Sequence, residues 1–186
     1  INFERLPISS MSVSGHKFMG CPMPSGVIIH RRENILKVER DIEYLNSKDT
    51  TIMGSRNGQA PIFLWHTLRT KGTDGFAADV RRCMENAQFL HRLLRENGIS
   101  SMLNELSNTV VLERPDNQAL VLKWQLSCER DLAHVVVMQN VDRSKLRLFV
   151  DDLVQSRRRA GTHAKCVKAQ IGPNCLCPSC ATAASH

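Results

Sequence analysis

Ser12-Val13-Ser14-Gly15-His16-Lys17-Phe18, followed after Met19 by Gly20-Cys21-Pro22-Met23-Pro24-Ser25-Gly26, sets a lysine, an imidazole and three hydroxyls among glycines and prolines. A lysine ε-amine condenses with an aldehyde to form a Schiff base. It reacts as the neutral amine, so a site that uses it must disfavour the ammonium. The flanking residues read as structure. Residues 8–14 have the short, partly β-branched pattern of a strand that Gly15 ends, and Gly26-Val27-Ile28-Ile29-His30 has the pattern of a second strand. The expected unit is a hairpin with Lys17 in its connection.

Outward from the hairpin, the apolar spacing Ile35, Leu36, Val38, Ile42 predicts a half-exposed helix over 31–44. Residues 49–61, with Gly54 and Gly58 flanking Ser-Arg-Asn, predict a loop. Pro61 then opens a helix whose run Ile62-Phe63-Leu64-Trp65-His66-Thr67-Leu68 is apolar enough to expect burial on most faces. The longest helix is predicted over 74–97. Phe76, Val80, Cys83, Ala87, Leu90 and Leu94 step by four and three along one stripe, and Gly98 stops it. A strand over 109–113, a helix over 118–126, a strand over 134–138 and a helix from Asp142 to about Arg157 complete a small α/β layer packed on the long helix. Residues 160–186 show no periodicity and are expected to be a loose tail.

Composition limits the function. With 25 Lys and Arg against 18 Asp and Glu the net charge is +7, but the charge is dispersed except at Arg157-Arg158-Arg159, which reads as a solvated cluster. Only 5% of residues are aromatic, and no basic segment is interleaved with rings, so no nucleic-acid partner is expected. No apolar run is long enough for a membrane span, and the first residues lack a signal-peptide pattern, so a cytoplasmic protein is expected. A chain whose strand pattern begins almost at once and whose first residue is not Met reads as a piece of something longer. Of seven cysteines, Cys83 falls on the helical stripe as a small core residue. Cys166, Cys175, Cys177 and Cys180 crowd the tail, but one C-x-C overlapping one C-x-x-C is not a recognised paired zinc spacing, so no metal is expected there.

Ser14-Gly15-His16-Lys17, the turn at residues 20–26, Thr51-Ile52-Met53-Gly54-Ser55-Arg56-Asn57-Gly58 and Leu103-Asn104-Glu105-Leu106-Ser107 together resemble the group II pyridoxal-phosphate-dependent amino-acid decarboxylases, in particular the plant serine and histidine decarboxylases. The resemblance runs from the start to about residue 155. It implies an α/β protein, the C-terminal part of a fold type I pyridoxal-phosphate-dependent transferase-like subunit. Residues 1–60 would end the cofactor-binding large domain, 61–157 would form the small α/β domain, and 158–186 would be the loose cysteine-containing tail. It implies pyridoxal 5'-phosphate as cofactor, an amino acid as substrate and a homodimer with active sites at the subunit interface. Lys17 would carry the Schiff base, His16 and Ser14 would contact the cofactor phosphate, and Ser55 would reach the phosphate bound by the neighbouring subunit. Arg56 is a candidate oxyanion partner in the same loop. The sequence departs from the family pattern at Ser25, where relatives commonly carry Cys.

The family places the aspartate that pairs with the pyridinium nitrogen, and the group that stacks on the ring, well before the lysine, and neither can be assigned here. Two readings follow. One is a piece of a working carboxy-lyase, taking serine to ethanolamine or histidine to histamine, with serine first by family. The other is a truncated, inactive remnant acting as an interaction or dimerisation module.

Overall fold

The computed structural model describes residues 2–51 and 53–181. The chain divides into two compact units, Ile1–Asp74 and Gly75–His186.

In the first unit, β1 (Ser10–Ser14) pairs antiparallel with β2 (Gly26–His30), Val13 opposite Val27 and Ser14 opposite Gly26. Among the described residues these two strands make up the whole of their sheet, so each keeps one edge open to further pairing. The helix expected over 31–44 is not formed. A single turn, α1 (Arg32–Ile35), gives way to β3 (Arg40–Ile42), which returns as β4 (Ser47–Asp49). Asn46, at φ 47°, makes the reversal in the left-handed region that Asn tolerates. Opposite charges face each other across the hairpin, Asp41 against Lys48, and Lys48 Nζ also lies 3.2 Å from Glu39. A helix of this length is marginal without a partner surface, which lets the local hairpin win.

The helix α2 (Gln59–Glu96) is broken at Gly72 (φ 59°, ψ −173°), so it is two helical segments joined at that residue. The segment before the break falls in the first unit, which ends at Asp74. Its burial was overestimated from its composition. Ile62 is 63% and Trp65 61% exposed, and His66 is exposed as well. The unit offers little core to cover them: its buried apolar side chains among the described residues are Cys21 and Ala60.

The second unit is built on a four-stranded antiparallel sheet of β5 (Ser101–Leu103), β6 (Thr109–Glu113), β7 (Ser127–Glu129) and β8 (Leu132–Val136), in the order β5-β6-β8-β7. Two helices flank β7 and β8 in the chain, α3 (Gln118–Lys123) before them and α4 (Arg143–Ala160) after them. The predicted stripe of α2 is buried from Cys83 onward, through Ala87, Leu90 and Leu94, while Val80 stays exposed. Gly98, at φ 67°, terminates the helix: Gly98 N–H bonds Arg95 O and Ile99 N–H bonds Leu94 O, the paired pattern of a left-handed stop. Leu146, Phe149, Val150 and Leu153 of α4 join that stripe and Val110, Leu112 and Ala133 of the sheet in one core. Each of the leucines, valines and Phe149 contributes about 1.5–3 kcal/mol on burial. Asp142 caps α4, accepting the Lys145 N–H at 2.8 Å.

The expectation of a loose tail is corrected. After α4 the chain forms α5 (Lys168–Ile171), a 3-10 turn (Gly172–Asn174) and α6 (Pro178–Ala181). Val167, Ile171, Cys175 and Cys177 are buried against Met102, Val111 and Leu132. Strand side chains alternate between faces, so Val111 points away from the core that takes Val110 and Leu112, and the terminal segment covers that second face. Periodicity could not show this, because the covering elements are single turns. Arg157 is likewise not simply solvated: it pairs with the buried carboxylate of Glu113 and donates to Gly98 O at 3.0 Å. Among the described residues no helix is long and apolar enough to cross a membrane.

Candidate active site

Ser14, His16 and Lys17 lie together at the end of β1 and in the turn that leads to β2, as their adjacency in sequence requires. The turn is closed by Gly15 N–H on Ser25 O and by Cys21 N–H on Gly15 O, both 2.9 Å. Gly20 N–H returns to Lys17 O at 2.9 Å, which puts Lys17 first in a tight four-residue turn. Cys21 fills the interior of this connection and is buried. Lys17 itself is exposed, and among the described residues its ammonium has no hydrogen-bond or ion-pair partner.

His16 is held at one ring nitrogen. Nδ1 lies 3.1 Å from Ser25 N, which donates to it, and 2.9 Å from Ser25 O. With Ser25 N–H as the donor, Nδ1 is the acceptor, and the tautomer that fits this bond carries its ring proton on Nε2. That leaves Nε2–H as a donor toward an anion.

Gly15 is required by close approach. A Cβ there would stand 2.5 Å from Ser25 Oγ and 3.0 Å from Leu64 Cδ2 on α2. The first segment of α2 therefore backs the turn, a support that the sequence does not signal. Ser25 Oγ, wedged at this point, is buried without a hydrogen-bond partner among the described residues. An unmet buried hydroxyl is unfavourable by roughly 1–3 kcal/mol, and a thiol in its place is only a weak hydrogen-bonding group.

Ser55 stands on a separate exposed loop between β4 and α2. The loop is tied to the lysine turn at one point, where Asn57 Nδ2 lies 2.7 Å from Met23 Sδ. Arg56, a candidate oxyanion partner, is spent inside the loop: its Nη1 donates to Asp49 Oδ2 at 2.9 Å, to Thr51 Oγ1 at 2.7 Å and to Met53 O at 3.2 Å. The Arg56 guanidinium, then the Thr51 N–H and hydroxyl, hold the Asp49 carboxyl down at about 2. A carboxylate whose value is depressed on folding contributes above its ordinary range and loses that contribution as pH falls through the depressed value. Asp49 is therefore expected to remain ionised at pH 3 in a carbon-13 titration, and Arg56→Ala is expected to return its midpoint toward 3.8. An ordinary midpoint in the unmutated chain would contradict the staple.

The donors gathered at the turn, an uncommitted amine, an imidazole Nε2–H and serine hydroxyls, fit a phosphate-bearing aldehyde. A cavity of about 590 Å³ lies in the second unit beside Glu113, Asn117 and Arg157, and none of Ser14, His16, Lys17 or Ser55 lines it.

The family profile described as the pyridoxal-dependent decarboxylase conserved domain matches residues 3–113. Over 182 residues the chain is 50% identical to serine decarboxylase 1 of Oryza sativa subsp. japonica, covering 95% of this chain and 38% of that protein. It is 44% identical to the histidine decarboxylase of Solanum lycopersicum, covering 95% of this chain and 44% of that protein. Among solved structures, L-methionine decarboxylase from Streptomyces sp.590 superposes with a TM-score of 0.68 at 30% identity, over 80% of this chain and 32% of that one. The chain thus spans about two fifths of the length of the curated relatives. The mixed α/β architecture is that of fold type I, and the family's cofactor is pyridoxal phosphate. Matched by the family profile over more than half of its residues, the chain belongs to the pyridoxal-dependent decarboxylases.

Proposed function

We propose that the chain is part of an amino-acid decarboxylase subunit that releases CO2 from L-serine to give ethanolamine. The observation that carries this reading is the uncommitted Lys17 amine on a braced turn, within a sequence half identical to a serine decarboxylase. Lys17 Nζ binds the cofactor aldehyde as the neutral amine. His16 Nε2–H and Ser14 Oγ donate to the phosphate, the imidazole held in place through Nδ1 by Ser25. Ser55 donates its hydroxyl to the phosphate of the second subunit in a homodimer. Bound pyridoxal phosphate supplies the electron sink for the electron pair left when CO2 departs.

The first unit has the surface of a body that packs against more protein. Tyr44 is 84% exposed, and Ile28 and Met53 are 69% exposed. That supports residues 1–60 as the end of a larger cofactor domain, and a dimer contact on the same unit. The seven unpaired cysteines suit a reducing compartment, which favours the cytoplasm. The reading as an inactive remnant draws no support from the likeness to named decarboxylases.

The test is an assay of the full-length subunit with pyridoxal phosphate against L-serine and L-histidine, following CO2 and amine. Ethanolamine is expected as the main product. Histamine in excess of ethanolamine would reassign the substrate, and CO2 from neither amino acid would sink the proposal.

A further inference from the structure

Cys166, Cys175, Cys177 and Cys180 come together in the folded terminal segment. Cys166 precedes α5, Cys175 and Cys177 follow the 3-10 turn, and Cys180 lies in α6. Their four Sγ atoms all lie within 4.8 Å of one another, and all four are free thiols. A tetrahedral zinc with Zn–S of about 2.3 Å spaces its sulfurs by about 3.8 Å, so a slight contraction of this cluster would close on the ion. Two disulfides would instead draw the sulfurs into pairs about 2.05 Å apart, unlike one mutual cluster of four.

The backbone around the cluster is fixed from several sides. Val167 N–H lies 3.4 Å from Cys175 Sγ and donates to it. Cys180 N–H bonds Cys177 O at 2.9 Å. Leu176 N–H is held by Ser100 Oγ on the sheet side at 2.9 Å, and Asn174 O by Arg95 Nη1 of α2 at 3.2 Å. Apart from the cysteines, the buried apolar side chains here among the described residues are Val167 and Ile171, little to order so irregular a segment.

We propose that Cys166, Cys175, Cys177 and Cys180 form a structural four-cysteine zinc site that clamps the C-terminal segment onto the second face of the β5-β6-β8-β7 sheet. Four thiolates fill a tetrahedral shell and leave no open position, so the site holds structure and performs no chemistry on a substrate. Binding releases the thiol protons to solvent, and no electrons are transferred. The expectation of no metal is revised for a physical reason. The fourth ligand, Cys166, arrives from across α5 and the 3-10 turn, so the C-x-C and C-x-x-C spacings alone hide a complete set.

The test uses the full chain purified without chelator. Elemental analysis is expected to find about one zinc per chain, released as the thiols are titrated with an organomercurial. Replacement by Co2+ is expected to give the intense visible bands of tetrahedral thiolate cobalt. Cys166→Ser, the exposed ligand, should lower zinc occupancy and speed amide exchange in residues 167–177, while β6 and β8 keep their protection. Zinc below about a tenth of an equivalent with all thiols reactive, a native mass reduced by disulfide formation, or iron in place of zinc would each overturn the proposal.

Discussion

Lys17→Ala is expected to abolish cofactor-dependent visible absorbance in the full-length subunit and to lower turnover by at least about 10³-fold, equivalent to about 4 kcal/mol. The expectation rests on the turn. Lys17 is the residue whose amine is left uncommitted while its backbone is fixed by Gly20, and its neighbour His16 is already anchored by Ser25. Lys17→Arg is the sharper control. It keeps the positive charge but cannot offer a neutral amine, because guanidinium stays protonated throughout the working range. If charge alone mattered, Lys17→Arg would retain function; on the present account it is as inactive as Lys17→Ala. His16→Ala and Ser14→Ala should weaken cofactor binding and leave the lysine reactive, which a titration with pyridoxal phosphate would separate from loss of the anchor. Absorbance persisting in Lys17→Ala would remove Lys17 from the site.

The second large effect is structural. Arg157→Met is expected to destabilise the second unit by about 3–5 kcal/mol, the usual loss when one partner of a buried ion pair is removed. Glu113 is 4% exposed and is a junction: its carboxylate accepts Ser100 N–H at 3.0 Å and Lys165 N–H at 3.3 Å, and it pairs with Arg157. It thereby ties β6 to the stop of α2, to α4 and to the start of the terminal segment. Without Arg157 the buried charge is uncompensated. Adding Glu113→Gln should recover much of the loss, since the amide oxygen still accepts from Ser100 and no charge remains to bury. Urea unfolding of the single and double variants gives the comparison. A loss below about 1 kcal/mol in Arg157→Met would place the pair with ordinary exposed ion pairs.

Local patterns carried the parts of the fold that were legible. The hairpin around Lys17, β6, the buried stripe of α2 from Cys83 with its Gly98 stop, and α4 beginning at Asp142 all follow from periodicity and end signals contained within each element. What escaped depended on distant partners or unusual turns. The β7–β8 hairpin turns at Arg130-Asp131 with Arg130 at φ 51°, without the glycine or asparagine that would have announced it. Residues 31–44 imitate a helix because Ile35, Leu36, Val38 and Ile42 carry the spacing, yet in the folded unit Leu36 and Val38 stay exposed. The terminal segment folds through contacts of Val167 and Ile171 with strands far back in the chain, which no window of sequence contains.

The same division holds at the site. Ser14, His16 and Lys17 were readable because they are neighbours on one turn. The brace from Leu64 behind Gly15 and the pairing of Arg56 with Asp49 were not, because each joins residues brought together only by folding.

Borohydride reduction of the full-length subunit with pyridoxal phosphate, followed by peptide mapping, tests the central claim most directly. The phosphopyridoxyl group is expected on the peptide that carries Lys17, at about one label per active site. A label on another lysine, or an active enzyme with Lys17 unlabelled, would contradict the account.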